Sequence, residues 1–198
     1  AQVRSCAALL QAPVPLAPEE RDPWWTLLLF FNSLRELGTT VSLFQSDIPD
    51  YLRVIRNRLG LDLNQIRWLN NILELTGRLR SEEVPEAITA LEVTTNSGAE
   101  RPVDVCLASN IIEVGVDIDR LSLMAVVGQP KTTSQYIQVT GRVGRRTQER
   151  PGLVVTIYGA SKPRDRSHFE KFRSYHERLY AQVEPTSVTP FSPPALDR

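Results

Sequence analysis

Thr26-Leu27-Leu28-Leu29-Phe30-Phe31-Asn32-Ser33 is the stretch on which the reading of this 198-residue chain turns. Its apolar run, Leu27 to Phe31, leaves no polar face. Side chains of a strand alternate between two faces, so such a run has to be buried on both, as in a parallel sheet covered by helices. Asn32 and Ser33 end the run and can cap a helix through Leu34 and Leu37. A short buried strand, a polar turn and a helix make the first part of a β-α-β unit.

The same unit recurs downstream. Ile48, Leu52, Ile55 and Leu59 form the stripe of an amphipathic helix over 48–59. Residues 60–71 read as a variable insertion. Ile72 to Leu75 is a second strand, and Ser81 is expected to cap a helix holding Val84, Ala87, Ile88 and Leu91, with acids in the first turn where the helix dipole favours them. Thr94 to Arg101 is a polar loop. Val103 to Ala108, Leu121 to Val127 and Leu153 to Ile157 are further strands. Thr132 or Thr133 opens a helix that ends near Gly141, and a last helix is expected over 162–180. Strands that alternate with helices at this spacing permit right-handed crossovers and predict an α/β sandwich with a mostly parallel central sheet. Such sheets bind ligands beyond the carboxyl ends of their strands. Asn32, Ser33, Thr76, Gly77, Ser109, Asn110 and Gln129 fall at those ends.

The flanks differ from the centre. Residues 1–23, with prolines at 13, 15, 18 and 23, read as an irregular arm or linker from an upstream domain. The ordered domain is expected over 24–182. Residues 183–198 carry four prolines and no periodicity, and read as a second linker or tail.

Hydrophobic residues make up 41% and charged residues 23%, which suits a folded domain and argues against disorder along the whole chain. No apolar run approaches the roughly 20 residues a membrane helix needs, and no signal peptide is visible. Cys6 and Cys106 lie far apart without a metal motif, so they read as two buried thiols and a reducing, cytoplasmic setting is expected. The net charge of zero hides a polarised distribution. Nine acids against two bases lie in 81–120, and five bases against one acid in 131–150. The basic block is a candidate phosphate site, or else a solvated face.

Within it stands Gln138-Val-Thr-Gly-Arg142-Val-Gly-Arg145. Two arginines three residues apart, each directly after a glycine, stand at a helix end. Glycine lets the backbone turn sharply, and guanidinium groups suit phosphate oxygens; a basic helix end favoured by the dipole is the alternative. The segment resembles motif VI of superfamily 2 helicases, Gln-x-x-Gly-Arg-x-Gly-Arg, at every fixed position. Leu107-Ala-Ser109-Asn110-Ile-Ile-Glu113-Val-Gly115-Val-Asp117-Ile resembles motif V, with Ser109-Asn110 where Thr-Asp or Thr-Asn is usual. Phe30-Phe31-Asn32-Ser33 resembles motif IV, and Thr76-Gly77-Arg78 occupies a similar place after the next strand. The resemblance covers about 26–160. Leu121 to Arg146, with Gly128-Gln-Pro-Lys-Thr-Thr133, looks closest to the large helicase-related proteins of bacterial phage-defence systems of the DISARM type.

The resemblance implies a RecA-like three-layer sandwich, the second such domain of an ATP-dependent helicase or translocase. It implies Arg145 as an arginine finger, Arg142 as its phosphate-binding companion, and Gln138 as a contact to the nucleotide or the catalytic water. Gly115 would allow close backbone approach. Asp117 would accept from ribose hydroxyls, unless it is a capping or turn residue. Asn32, Ser33, Thr76, Ser109 and Asn110 would touch the backbone of single-stranded DNA or RNA. The loop Gly-x-x-x-x-Gly-Lys-[Ser/Thr] is missing, and no Asp-Glu pair exists to hold magnesium. ATP and Mg²⁺ would therefore be bound mainly by the first RecA-like domain, the expected partner. A non-catalytic RecA-like module that binds nucleic acid or protein is the rival reading. His168 and His176 read as surface residues, and Trp24, Trp25 and Trp68 as packing or docking groups.

Overall fold

The computed structural model describes residues 1–98, 100–109, 117–145 and 150–185. Five parallel strands form its sheet in the order β2-β3-β1-β4-β5. They are β1 (Leu27–Phe31), β2 (Ile72–Leu75), β3 (Val105–Ala108), β4 (Leu123–Val127) and β5 (Leu153–Ile157). The central β1 is buried along its whole length, as its continuous apolar run requires. Leu29 stands opposite Leu107 on one side and Ala125 on the other.

Alternation of side chains divides the core into two layers. Leu27, Leu29 and Phe31 pack with Leu107 and Ala125 under α1 (Gln2–Gln11), α3 (Leu34–Gln45) and α4 (Asp47–Leu59). Leu28 and Phe30 pack with Cys106, Met124 and Val126 against α5 (Glu83–Glu92) and α6 (Thr133–Thr140). Each fully buried Leu or Phe contributes about 1.5–3 kcal/mol. Helices on both faces of a parallel sheet make a three-layer α/β sandwich. Both cysteines are free and buried in these layers, and burial pushes both thiols up to about 12.

Three local expectations are corrected. The supposed irregular arm is helical: α1 buries Cys6, Ala7 and Leu10, and α2 covers Pro18–Trp25. Val3, Cys6, Ala7 and Leu10 follow an i, i+3, i+4, i+7 stripe, a signal that the neighbouring prolines obscured. Pro18 sits at the start of α2, where a missing N–H costs nothing. Within residues 60–71, read as a variable insertion, Arg67 is 2% exposed and locked in place. Its guanidinium bonds Asp104 at 2.8 Å and the Trp25 carbonyl at 2.9 Å, and lies 3.2 Å from the centre of a Trp25 ring. Burial pulls the Arg67 pKa down to about 10 against the opposing pull of Asp104.

Ser81 does not cap α5; Glu82 holds the cap position and the Glu83 carboxylate accepts from the Arg80 amide at 2.8 Å instead. The expected last helix is broken into α7 (Pro163–Glu170), α8 (Phe172–Glu177) and a 3₁₀ turn, Leu179–Gln182. The expected tail from 183 lies almost wholly outside the described residues; of it, Val183, Glu184 and Pro185 are described. No helix among the described residues is long and apolar enough to cross a membrane.

Candidate functional site

The expected site residues separate onto two ends of the sheet. Ser33, Thr76, Ser109 and Asn32 follow the carboxyl ends of β1, β2 and β3. Arg142 and Arg145 lie at the opposite end, because α6 carries the chain back along β4. Thr132 caps α6 by accepting from the Gln135 amide at 3.1 Å, and Gly141 ends it. Past that end, the Gly144 amide donates to the Leu121 carbonyl at 2.8 Å, just before β4 begins. Gly144 has φ +67°, a backbone conformation that favours glycine.

Asp117 joins the two arginines. Its Oδ1 accepts from Arg142 Nη1 at 2.5 Å and from Arg145 Nη2 at 2.7 Å. Side-chain exposure is 13% for Arg142, 34% for Arg145 and 49% for Asp117. Two guanidinium groups thus meet on one carboxylate at a half-open surface, and such groups suit phosphate oxygens. Gln138 lies about one turn earlier on the exposed face of α6. Gly115, Asn110 and Arg146 lie outside the described residues.

The segment carrying Asp117 is anchored by a residue that sequence reasoning missed. Arg120 is buried and donates to the Leu91 carbonyl at 2.7 Å, to Thr26 Oγ1 at 2.6 Å and to the Asp22 carbonyl at 3.2 Å. Burial lowers its pKa while Asp22 opposes the shift. Asp22 belongs to α2, in the stretch expected to be a linker. The signal was faint: one of two basic residues in an acidic stretch.

At the carboxyl end, Asn32 acts first as a clip. Its Nδ2 lies 3.2–3.3 Å from the carbonyls of Val127, Gly128 and Gln129, tying β1 to the exit of β4. Ser33 caps α3 by accepting from the Glu36 amide at 3.3 Å. Thr76 and Ser109 are buried; the Thr76 hydroxyl accepts from the Arg78 amide and the Ser109 amide donates to the Leu75 carbonyl. A cleft of about 430 Å³ opens beside this edge, lined by Glu36, Thr39, Gly128, Lys162 and Asp165. Lys162 pairs with Glu36 across it. Buried Asp165 shapes the cleft by accepting from the amides of Gln129 and Gly159. None of these cleft residues except Gly128 fell within a motif. An apolar cleft of about 540 Å³ between α1, β5 and α7 holds none of the expected site residues.

The histidines are not simple surface groups. His176 is half-buried, contacts the Tyr136 hydroxyl at 3.0 Å and stacks on Phe172 at 4.1 Å. His168 meets the Tyr175 ring edge-on at 4.6 Å. Burial, then Arg164, holds the His168 pKa below its ordinary 6.5. Glu184 reaches back to the first turn of α6, accepting from the Thr133 amide at 2.9 Å and from its hydroxyl at 3.2 Å. Among the described residues, no three His, Cys, Asp or Glu side chains converge as a metal site.

Residues 53–147 match the helicase conserved C-terminal domain family. The chain resembles the C-terminal helicase domains of superfamily 2. It is 41% identical to the DISARM protein DrmA of Bacillus paralicheniformis, over 99% of its own length and 17% of that protein. It therefore spans under a fifth of that relative. Among solved structures it resembles helicase MrfA bound to DNA and AMPPNP, with a TM-score of 0.62 at 16% identity, over 98% of this chain and 22% of that one. It also resembles the Mycobacterium smegmatis helicase Lhr bound to ssDNA and AMP-PNP. There the TM-score is 0.57 at 18% identity, over 94% of this chain and 20% of that one. At these identities the structural likeness shows the RecA-like fold.

Proposed function

We propose that this chain is the second RecA-like domain of an ATP-dependent helicase or translocase that acts on single-stranded nucleic acid. The observation that carries the reading is the pair Arg142 and Arg145, fixed side by side on one carboxylate at a half-exposed surface. Arg145, the more exposed, is the finger that meets the transferring phosphoryl group. Arg142 holds the neighbouring phosphate oxygens, and Gln138 meets the nucleotide or the attacking water. Two planar guanidinium groups fit the charge and geometry of adjacent phosphates. Positioning and charge stabilisation are what phosphoryl transfer asks of a protein.

ATP and Mg²⁺ are bound mainly by the first RecA-like domain of the same protein, since this chain has neither phosphate loop nor acidic magnesium motif. Gly115 would allow close backbone approach to the nucleotide, and Asp117 holds the two arginines. The sheet's carboxyl edge, with Asn32, Ser33, Thr76 and Ser109, follows the strand backbone, and Asn110, next in the sequence, contacts it as well. The DNA-bound helicases of the same fold support this reading. The test compares ATP hydrolysis by the parent protein and by this chain alone, each with and without single strands. Strand-stimulated turnover in the parent and none in the isolated chain is expected. A chain that turns over ATP by itself would refute the half-site.

A further inference from the structure

We infer that Asp117 is a positioning residue that parks the Arg145 guanidinium when no nucleotide is bound and yields it to phosphate when the site closes. The inference rests on the proposed role of Arg145 and goes beyond a ribose contact for Asp117.

Three observations carry it. First, both arginines converge on the same oxygen, Oδ1, at 2.5 and 2.7 Å. Two like charges this close repel unless an anion lies between them, and Asp117 supplies that anion from within the domain. Second, burial is asymmetric. Arg142 is 13% exposed and Arg145 34%, while the carboxylate itself is half open to solvent. The Arg142 contact is therefore the lasting half and the Arg145 contact the exchangeable one. An ion pair at partly exposed groups is weak enough to exchange. A polyphosphate presents more charge and more acceptor oxygens than one carboxylate, so it wins the competition for a planar guanidinium. Third, Asp117 has a fixed mount. Buried Arg120, bonded to Leu91, Thr26 and Asp22, follows it closely in the chain. Strand-driven closure of the two RecA-like domains would bring phosphate to the Arg145 guanidinium and release the parking contact, which makes hydrolysis depend on nucleic acid.

The test uses the whole parent protein and steady-state ATP hydrolysis, with and without saturating single strands. Asp117→Asn keeps the side chain's shape and removes its charge. Basal turnover should rise about fivefold, the factor that corresponds to losing a partly exposed ion pair of ~1 kcal/mol. Strand-saturated turnover should change little, so the stimulation ratio should fall. Asp117→Glu keeps the charge and should restore most of the ratio. Asp117→Ser serves as the second uncharged variant if Asp117→Asn does not fold, and should behave likewise. Equal loss of basal and stimulated turnover, or a raised KM for ATP with an unchanged ratio, would overturn the parking role. Arg145→Ala runs in parallel. If it leaves turnover intact, the finger assignment itself has failed; if it abolishes turnover while Asp117→Asn leaves the ratio unchanged, only the parking role has failed.

Discussion

Gly144 and Gly152 lie backbone against backbone: a Cβ on Gly144 would stand 2.4 Å from the Gly152 amide nitrogen. The approach brings the residue before Arg145 against the start of β5, and Gly144 holds φ +67° to do so. Gly144→Ala therefore meets a backbone clash and an unfavourable left-handed conformation together, which costs about 1–2 kcal/mol for the conformation alone. A lowered Tm and a loss of ATP turnover should follow, with single-strand binding by the parent protein retained. Turnover equal to wild type would show that Arg145 does not depend on this contact.

Arg145→Lys in the parent protein should be nearly as damaging as Arg145→Ala. Lysine keeps the charge but loses the planar fork that bridges two oxygens. An arginine finger contributes on the order of 10³ to 10⁵ in turnover. Single-turnover hydrolysis should collapse in both variants while nucleotide and strand still bind. A lysine variant within a few-fold of wild type would move attention to Arg142.

Strand binding by the isolated domain should be weak and fall steeply with salt, since the proposed contacts are to backbone phosphates. Titration of a labelled single strand at several salt concentrations reads the slope. Tight, salt-insensitive, sequence-specific binding would favour a recognition module over a translocating one.

Arg67→Ala should destabilise the domain strongly. It strips a buried carboxylate, Asp104, of its guanidinium partner and empties the space beside Trp25. Breaking one side of a buried pair costs about 3–5 kcal/mol. The amides of Asn70 and Asn71, which also donate to Asp104, soften the loss. Chemical unfolding of the two proteins measures the difference, and an unchanged midpoint would show that the loop 60–71 is not anchored there.

Acid should loosen the C-terminal helices in two stages. His168 is held below 6.5 by burial and Arg164, so the unfolded chain takes up protons more readily, and stability falls as pH drops below about 6.5. Glu184 is held below its ordinary 4.5 by the Thr133 amide. Its contribution is complete above 4.5 and is lost as pH falls through the lowered folded value. Unfolding followed against pH should show the first stage weakened by His168→Phe and the second by Glu184→Gln. Superimposable profiles would remove both groups from the account.

The sequence by itself determined the layered α/β fold, because a run such as Leu27 to Phe31 has one low-energy use, a strand covered on both faces. It also determined the order of the motif residues and their chemistry, since arginines that each follow a glycine, and polar residues after apolar runs, are local patterns. Tertiary structure alone decided where those residues meet. That Asp117 joins Arg142 to Arg145, that Arg120 reaches Asp22 and Thr26, and that Arg67 is buried on Asp104 depend on crossovers that bring distant segments together. Local spacing carries no information about such partners. The helical arm makes the same point from the other side. Its apolar stripe was written in Val3, Cys6, Ala7 and Leu10, yet only the groove it fills beside α4 gives that stripe a reason to be helical, since a helix this short is marginal without a surface to pack on.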